Sequence, residues 1–379
     1  MSAGPAAPTT GAKWCRRGQA DAAGELPHAG PTVSRLTIAL DAMGGDHAPE
    51  MVMRGANMAR QRFPHVYFLL FGIESKLKPL IERFADLRKS SEIRHAGEVV
   101  RGEDKPASAL RSGRATSMRR AIDAVRDGEA SAMVSAGNTG ALMAMAKFVL
   151  KTMPGIDRPA IASYYPTMRG ESIMLDLGAN VSCDANNLVQ FAVMGNVFAR
   201  TVLGVLDPSI GLLNVGSEDQ KGNDVLREAN AILRDAKLPG TYYGFIEGND
   251  IVTGTVDVIV TDGFTGNVAL KAIEGTTKLY TDFLKRAFRS SLMASLGYLL
   301  ARPALHKLRV RTDPRRYNGA ILLGLNGIVV KSHGGTDAFG FSNAVGVAVD
   351  MIQNGFIEKM RQDLERVTAP PPSTQAAAL

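Results

Sequence analysis

Cysteine is scarce in this sequence, and long apolar runs are missing. Its 379 residues contain two cysteines, Cys15 and Cys183. So few cysteines argue against a disulfide framework and favour a reducing, cytoplasmic setting. No apolar stretch is long enough to cross a bilayer. The pair Arg16-Arg17 is followed by polar and small residues instead of an apolar run, so the sequence predicts no signal peptide.

Several catalytic signatures are missing as well. No G-x-G-x-x-G follows the first predicted strand, and residues 216–222 have the order G-x-x-x-x-K-G, which is not that of a P-loop. There is no G-x-S-x-G, no H-E-x-x-H and no Cys or His pair at zinc spacing. Cys183 has acidic Asp184 beside it and no evident activating base, so we expect a structural residue and not a nucleophile. We predict no cofactor and no metal.

The composition is that of a globular protein, with 45% hydrophobic and 21% charged residues. Residues 1–34 are rich in Ala, Gly, Pro and Thr and lack sustained periodicity, which predicts a flexible N-terminal extension. We predict one α/β domain over residues 35–365 and a flexible tail over 366–379. The net charge of +7 is concentrated in two basic segments, Arg111 to Arg120 and Lys278 to Arg316.

Short β-rich apolar runs alternate with longer helical patterns within the predicted domain. Runs without polar alternation, such as Ile210 to Val215, are typical of strands buried on both faces. The pattern predicts an α/β fold with a mostly parallel sheet and flanking helices. The predicted strands are Leu36 to Asp41, Val66 to Phe71, Ala132 to Val134, Ile161 to Tyr164, Ile173 to Asp176, Ile210 to Val215 and Val256 to Thr261.

One motif, V-x-x-G-x-T-G, occurs twice, at Val134 to Gly140 and at Val260 to Gly266. Each copy follows an apolar run and precedes a helical pattern, so each predicts a strand that ends in a loop at a helix N-terminus. Such a terminus can hold an anion with its unpaired N–H groups and its positive dipole end. The alternative is an ordinary Gly-rich turn of a parallel α/β protein.

Most of the polar, Gly-rich loops follow predicted strands. In parallel sheets the ligand lies beyond the carboxyl ends of the strands, so these loops predict one composite site. The predicted phosphate-binding residues are Asp41, Gly44, Gly45, Gly137, Asn138, Thr139, Gly140, Asp176, Asn180, Asp262, Gly263, Thr265 and Gly266. Asp41, Asp176 and Asp262 have the alternative role of capping turns. Among the three, we expect Asp262 to lie nearest the chemistry.

Five blocks of sequence together resemble the bacterial PlsX family, the acyl carrier protein:phosphate acyltransferases. The blocks are D-A-M-G-G-D-H-A-P from Asp41, S-A-G-N-T-G-A-L from Ser135, G-I-D-R-P-A from Gly155, L-N-V-G-S-E-D-Q-K-G-N from Leu213 and V-T-D-G-F-T-G-N from Val260. The resemblance implies that inorganic phosphate attacks a fatty acyl thioester on acyl carrier protein, which gives acyl phosphate for phospholipid synthesis. It also implies a homodimer with a fold similar to phosphotransacetylases and isopropylmalate dehydrogenases.

Four residues in these blocks are candidate catalytic residues. Lys221, the one cation in the strand-end motifs, would neutralise phosphate or the thioester oxyanion, or else it is a solvated loop lysine. Asn267 would donate its side-chain amide, or else it caps a helix. His47, next to Asp46, would move a proton to the departing thiolate or donate to phosphate, or else it is a hydrogen-bonding partner within the loop.

The segment 276–311 combines apolar residues at near-helical spacing with basic residues. Gly297 and Arg302-Pro303 interrupt this pattern, which predicts a helical hairpin. One interpretation is a dimer interface, and the other is a peripheral anchor on an anionic membrane, as the family resemblance implies for the inner face of the cell membrane. The membrane-facing residues would be Leu292, Met293, Leu296, Leu299 and Leu300.

The basic segment Arg111 to Arg120 could steer acyl carrier protein, which is small and acidic, although it also fits a plain solvated surface. Neither basic segment interleaves aromatics with charge, so we expect no nucleic acid partner. Two alternatives remain for the function. One is a phosphotransacetylase-like enzyme that uses acyl-CoA, and the other is a non-enzymatic membrane scaffold.

Overall fold

The computed structural model describes residues 36–368. The predicted N-terminal extension and most of the predicted tail lie outside the described residues. Within them, eleven strands form one sheet in the order β3-β2-β1-β4-β11-β10-β5-β6-β9-β7-β8. The strands are β1 (Thr37–Asp41), β2 (Tyr67–Gly72), β3 (Ser91–His95), β4 (Ala132–Ser135), β5 (Ala160–Pro166), β6 (Glu171–Leu175), β7 (Ser209–Leu213), β8 (Thr241–Ile246), β9 (Val258–Val260), β10 (Ala320–Leu323) and β11 (Ile328–Lys331).

The helices cover both faces of this sheet. They are α1 (Glu50–Arg62), α2 (Glu74–Ile81), α3 (Ala85–Lys89), α4 (Pro106–Ser112), α5 (Ser117–Arg126), α6 (Thr139–Leu150), α7 (Ala185–Phe198), α8 (Asp224–Asp235), α9 (Gly248–Thr253), α10 (Gly263–Phe288), α11 (Leu292–Arg311), α12 (Ala338–Gln353) and α13 (Phe356–Thr368). The α/β fold class and all seven predicted strands are confirmed. No helix among residues 36–368 is both long and apolar enough to span a bilayer.

Two hydrophobic cores lie on opposite faces of the sheet. One contains Ile38 and Leu40 of β1 with buried residues of α1, α7 and α12. The other contains Ala39 of β1 with buried residues of α5 and α6. Successive side chains of a strand point to opposite faces, so a strand between two helical layers has to be apolar at every position. This explains why the central strands lack polar alternation.

The strands form two parallel blocks that run in opposite directions. β1, β2, β3, β4 and β11 are parallel to one another, and β6, β7, β8 and β9 are parallel to one another. Between the blocks, β10 is antiparallel to β11 and β5, and β5 is antiparallel to β6. The two blocks therefore end at opposite edges of the sheet. We call them the Gly137 edge, where β1, β4 and β11 end, and the Gly263 edge, where β6, β7 and β9 end.

Both copies of the V-x-x-G-x-T-G motif join a strand to a helix, as predicted. The first connects β4 to α6, where the Asn138 side chain accepts a hydrogen bond from the Ala141 amide at 2.9 Å. The second connects β9 to α10, where Asp262 accepts one from the Thr265 amide at 2.9 Å. Such caps satisfy otherwise unpaired N–H groups and stabilise a helix by about 1 kcal/mol each.

The segment 276–311 is occupied by the second part of α10 and by α11. The predicted interruptions at Gly297 and Pro303 are wrong, because α11 continues through both residues. The break between the helices lies instead at Arg289 to Ser291, where the Ser291 hydroxyl caps α11 by accepting from the Ala294 amide at 3.0 Å. Pro303 is tolerated since no residue of α11 is buried and a carbonyl left unpaired by proline can face water.

Candidate active site

The loops that follow β6, β9 and β7 lie side by side at the Gly263 edge, because these strands are neighbours in the sheet. Lys221 is exposed on the loop after β7, and Asn267 is exposed in the second turn of α10, the helix that follows β9. Among residues 36–368, the Lys221 ammonium and the Asn267 side-chain amide have no ion-pair or hydrogen-bond partner. The predicted residues gathered at this edge are Asp176, Asn180, Lys221, Asp262, Gly263, Thr265, Gly266 and Asn267.

The backbone around Lys221 is fixed by hydrogen bonds. The Asn214 side-chain amide donates to the Lys221 carbonyl at 3.2 Å, and the Lys221 amide donates to the Glu218 carbonyl at 2.9 Å. Gly222 follows with a φ of +83°, and a Cβ there would overlap the Asn214 side chain. An ordered loop therefore carries the exposed lysine, whose ammonium stays available to a ligand.

Asp176 was predicted to bind phosphate, but its side chain is fully buried. Its carboxylate accepts hydrogen bonds from the amides of Ile161 at 2.9 Å, Ala179 at 3.1 Å and Asn180 at 2.6 Å. The Asn180 side chain donates to the same carboxylate at 2.9 Å. Burial raises the pKa of Asp176, and these donors oppose the shift. Asp176 and Asn180 thus hold the loop in place, and their carboxylate and amide groups are already engaged.

Asp262 is the N-cap of α10. Its carboxylate accepts from the Thr265 amide at 2.9 Å and from the Thr265 hydroxyl at 2.8 Å, while the Gly263 amide donates to the Asn180 carbonyl at 2.7 Å. The capping role proposed for Asp262 is therefore confirmed. The capping alternative for Asn267 is wrong, because Asn267 lies in the second turn of α10.

The remaining predicted residues lie at the Gly137 edge. There Asp41 is buried, and its carboxylate accepts from the hydroxyls of Ser117 at 2.6 Å and Ser135 at 2.7 Å. Burial raises the pKa of Asp41, and the two serine hydrogen bonds oppose that shift. The Ser135 hydroxyl also accepts from the Gly137 amide at 3.0 Å. The predicted residues at this edge are Asp41, Gly44, Gly45, Asp46, His47, Gly137, Asn138, Thr139 and Gly140.

Some residues at the Gly137 edge are exposed, and they differ in whether their side chains form hydrogen bonds. Thr139 and Gly140 form the first turn of α6 and are exposed. The His47 ring is exposed and makes no hydrogen bond to any described residue, so the structure does not support the alternative role of a hydrogen-bonding partner within the loop. The Asn138 side-chain amide donates to the Gly102 carbonyl at 2.7 Å, which ties the α6 N-terminus to the loop between β3 and α4.

Sequence reasoning gave no role to Lys331, which ends β11 beside Ser135 of β4. Its ammonium is buried and donates to the carbonyls of Ser332 and Ala136. Burial lowers the pKa of Lys331 to about 8, although Asp41 and Asp46 oppose the shift. The sequence does contain an indication of this position, because Lys331 directly follows the short apolar run Ile-Val-Val.

The prediction of one composite site is wrong for a single chain. It assumed that all strands end at the same edge, whereas the antiparallel strands β10 and β5 reverse the direction of the sheet halfway across. Lys221 and Asn267 therefore lie at the edge opposite to Asp46 and His47. At about 3.3 Å per residue, the strands separate the two edges by about 15–20 Å.

Two further predictions concern a nucleophilic cysteine and a metal site. The thiol of Cys183 is half-buried, and burial, followed by the charge of Asp176, raises its pKa to about 11. A thiol with a raised pKa is a poor nucleophile at neutral pH, as expected. Within residues 36–368, no three His, Cys, Asp or Glu side chains are arranged to hold a metal ion.

The sheet with its two blocks defines the fold class that solved phosphotransacetylases share. The EutD phosphotransacetylase from Staphylococcus aureus aligns with a TM-score of 0.56 at 18% identity, over 84% of this chain and 94% of that one. A phosphotransacetylase from Streptococcus pyogenes aligns with a TM-score of 0.56 at 19% identity, over 86% and 95% of the two chains. These likenesses establish the fold.

Sequence comparison identifies the family within that class. Residues 36–359 match the family model described as "Fatty acid synthesis protein". The phosphate acyltransferase of Rhodospirillum centenum is 63% identical over 91% of this chain and 99% of its own length. That of Paramagnetospirillum magneticum is 62% identical over 88% and 95%. The chain belongs to the PlsX family of phosphate acyltransferases, and it is a transferase that moves an acyl group to phosphate.

Proposed function

We propose that this protein transfers a fatty acyl group from acyl carrier protein to inorganic phosphate, with acyl phosphate and free carrier as the products. The observation that carries the proposal is the placement of the Lys221 ammonium and the Asn267 amide on neighbouring loops of the Gly263 edge. A thioester carbonyl acquires negative charge when it is attacked, and a cation with an amide donor stabilises that charge. The acyl phosphate would feed phospholipid synthesis.

The reaction is a direct displacement. A phosphate oxygen attacks the thioester carbon and forms a tetrahedral intermediate, whose oxyanion is stabilised by the Asn267 amide and the Lys221 ammonium. The C–S bond then breaks, the acyl group stays on phosphate, and the carrier leaves as a thiolate that takes up a proton. No enzyme nucleophile is required, which agrees with the raised pKa of the Cys183 thiol.

Exposed apolar side chains at the Gly263 edge support an acyl substrate. Phe264 is 62% exposed in the first turn of α10, Val181 is 71% exposed after β6, and Val215 is 82% exposed after β7. Single exposed apolar residues are ordinary on protein surfaces. Here three of them stand on adjoining loops around Lys221 and Asn267, where an acyl chain would cover them.

Charge supports acyl carrier protein as the donor. Arg111, Arg114 and Arg120 are exposed on α4, α5 and the turn between them. Arg119 does not contribute to this patch, since it is buried and pairs with Asp123 at 3.0 Å. An exposed basic patch steers an acidic partner, and its effect weakens as salt rises.

We further place the protein in the cytoplasm, as a homodimer held peripherally on the inner face of the cell membrane. The hairpin supports this placement because its tip exposes apolar side chains beside basic ones. Leu292 is 91% exposed, Met293 and Leu300 are 77% exposed, Leu299 is 59% exposed and Leu296 is 52% exposed.

The first experiment measures acyl phosphate formed from palmitoyl-acyl carrier protein and phosphate. We expect product from the unaltered protein and a loss of at least about 100-fold in kcat/KM for Lys221→Ala, the typical cost of losing an oxyanion donor. Lys237→Ala, which removes an exposed lysine after α8, is the matched control and should keep full activity. An equal rate for Lys221→Ala would contradict the role of Lys221.

Palmitoyl-CoA, tested beside the carrier thioester, separates the competing functions. A higher kcat/KM with palmitoyl-CoA, unaffected by Arg114→Glu, would favour the phosphotransacetylase-like alternative. No product from either thioester, with anionic vesicles present, would favour the scaffold. Under our proposal, Arg114→Glu raises KM for the carrier thioester several-fold at low salt and leaves turnover of palmitoyl-CoA unchanged.

A further inference from the structure

At the Gly263 edge, Lys221 and Asn267 account for the thioester oxyanion but not for the attacking phosphate. Asp262, the cap of α10, adds a negative charge at the same place. A phosphate dianion that approaches a developing oxyanion needs a second cation, because one ammonium cannot neutralise both. The reaction therefore calls for a further basic group at this edge.

Arg158 is a second cation at the Gly263 edge. It belongs to the block G-I-D-R-P-A and lies just before β5, which is antiparallel to β6 and so begins where β6 ends. Its guanidinium donates to the carbonyl of Ser182, in the loop after β6, at 3.4 Å. Two strand spacings of about 4.8 Å separate β5 from β9, a distance of about 10 Å. β9 leads into α10 with Asn267, and Lys221 follows β7, one strand further on.

The guanidinium of Arg158 is available to a ligand. It is exposed and has no ion-pair partner among residues 36–368. The one hydrogen bond that it makes within this part of the chain leaves most of its five N–H donors unused. The neighbouring Asp157 accepts from the Gln190 side chain at 2.8 Å instead. Asp184 accepts from the Asn187 amide at 2.8 Å as the cap of α7.

The backbone on both sides of Arg158 is held in place. Before it, the Asp157 amide donates to the side chain of Gln190 on α7 at 3.0 Å. After it, the Pro159 carbonyl accepts from the side chain of Asn180 at 2.8 Å. A cation on an anchored backbone is preorganised for an anion, since less conformational entropy is lost on binding.

Cys183 indicates that Arg158 and the cap of α10 act on the same space. Burial raises the pKa of the Cys183 thiol most, followed by the charge of Asp176. The charge of Asp262 adds to this rise in pKa, and the charge of Arg158 opposes it. Charges shift a pKa mainly at short range, so Arg158 and Asp262 both lie near this thiol. Arg158 therefore offsets the negative cap that a phosphate would meet.

We propose that Arg158 holds the attacking phosphate at the Gly263 edge, while Lys221 and Asn267 act on the thioester carbonyl. A planar guanidinium presents paired N–H groups that match two phosphate oxygens, whereas an ammonium is a point charge. The proposal rests on the proposed function and adds a substrate-binding residue to it. It also gives a role to the block G-I-D-R-P-A.

Steady-state kinetics, with phosphate and palmitoyl-acyl carrier protein varied separately, test this assignment. Arg158→Ala should raise KM for phosphate by about 10- to 100-fold, the cost of losing charged hydrogen bonds. It should leave kcat and KM for the carrier thioester nearly unchanged. Arg158→Lys keeps the charge without the paired donors, so its KM for phosphate should be intermediate. Arg361→Ala, which removes an exposed arginine of α13, is the matched control and should change none of these constants.

Phosphate binding is also measured without turnover, by the rise in Tm that inorganic phosphate causes. Phosphate should raise the Tm of the unaltered protein, of Arg361→Ala and of Lys221→Ala, because a ligand stabilises the folded state that binds it. The rise should be largely lost in Arg158→Ala. Sodium chloride at equal ionic strength separates specific binding from charge screening.

The outcomes distinguish this assignment from the proposed function. An unchanged KM for phosphate in Arg158→Ala, or a rise confined to KM for the carrier thioester, would overturn the role of Arg158 and leave the proposed function intact. An unaltered protein that forms no acyl phosphate would refute the proposed function, and the Tm measurements would then decide whether Arg158 binds phosphate. Equal Tm values of all variants without phosphate verify that the substitutions leave the fold intact.

Discussion

At the scale of single residues, buried aspartates shape both edges of the sheet. Asp41 accepts hydrogen bonds from two serine hydroxyls, and Asp176 accepts from three backbone amides and one side-chain amide. A carboxylate surrounded by donors fixes a loop in a single conformation, since leaving any of these donors unpaired is costly. The aspartates therefore position the neighbouring loops, and the side chains of Lys221 and Asn267 stay exposed and unpartnered within the described part of the chain.

Gly266 offers a sharp test of this packing. A Cβ at Gly266 would overlap the carbonyl oxygen of Asp176, a backbone atom that cannot move without displacing the loop. We expect Gly266→Ala to lower the free energy of unfolding by about 2–3 kcal/mol, as overpacked sites do. Urea unfolding checks this value.

The matched control is Gly275→Ala in the same helix. No atom of the described residues lies within 4 Å of a Cβ at Gly275, so the substitution should raise the free energy of unfolding by up to about 1 kcal/mol through helix propensity alone. Equal effects of the two substitutions would contradict the close approach of α10 to the Asp176 loop.

Sequence predicts residue types at the site better than it predicts their exposure. The motif blocks led to Lys221 and Asn267, and both are exposed and have no side-chain partner among residues 36–368, as a ligand-binding role requires. The same reasoning gave Asp176 and Asn180 a phosphate-binding role, although their polar groups are buried and satisfied. Burial depends on which loops pack together, and a linear motif does not contain that information.

At the scale of secondary structure elements, the hairpin is the least buried part of the described chain. Amphipathic spacing in the sequence predicted helices here, but Gly297 and Pro303 were wrongly expected to end them. Gly and Pro weaken a helix without always breaking it, whereas the Ser291 cap actively starts a new one. Cap geometry therefore outweighed helix propensity in placing this boundary.

The exposed tip of α11 should bind anionic vesicles. Replacing Leu296 and Leu299, which are 52% and 59% exposed, by glutamate removes apolar contact and adds negative charge. We expect the double variant to bind vesicles that contain phosphatidylglycerol at least about tenfold more weakly. Co-sedimentation with the vesicles measures this binding.

Leu308→Glu is the control for this experiment. Leu308 is 52% exposed on the same helix but lies outside the predicted membrane-facing residues. It should keep most of the vesicle binding. If Leu308→Glu weakened vesicle binding as much as the double variant did, or if neither weakened it, the tip would not be the membrane contact.

At the scale of the whole molecule, strand direction is the feature that sequence could not supply. The reversal depends on the antiparallel pairings of β10 with β11 and β5, and of β5 with β6. β10 and β11 are strands of four residues that insert in the middle of the sheet. Both were missed, because β10 has four apolar residues and β11 has three, which are too few to distinguish a strand from part of a helix. Each strand-to-helix loop was predicted well locally, yet the arrangement of the loops in space depends on long-range pairing.

The pH dependence of unfolding is also a property of the whole chain. Burial raises the pKa values of Asp41, Asp176 and Glu171, and it raises that of Asp350 on α12 from 3.8 to about 6. A carboxyl whose pKa is higher in the folded state favours folding when it is protonated. For Asp350, this contribution to the free energy of unfolding is full below about pH 4 and is lost as the pH rises through about 6.

Asp350→Asn tests this dependence. The amide is neutral at every pH, so the variant should be more stable than the unaltered protein at pH 7.5 by about 1–2 kcal/mol, and equally stable at pH 4. The full shift corresponds to about 3 kcal/mol at 1.36 kcal/mol per pKa unit, which we reduce because Asp350 is partly exposed. Glu365→Gln, at an exposed position on α13, is the control and should leave the free energy of unfolding unchanged at both pH 7.5 and pH 4. Urea midpoints measured from pH 4 to 8 give the comparison, and a constant difference across this range would mean that the Asp350 charge is not the cause.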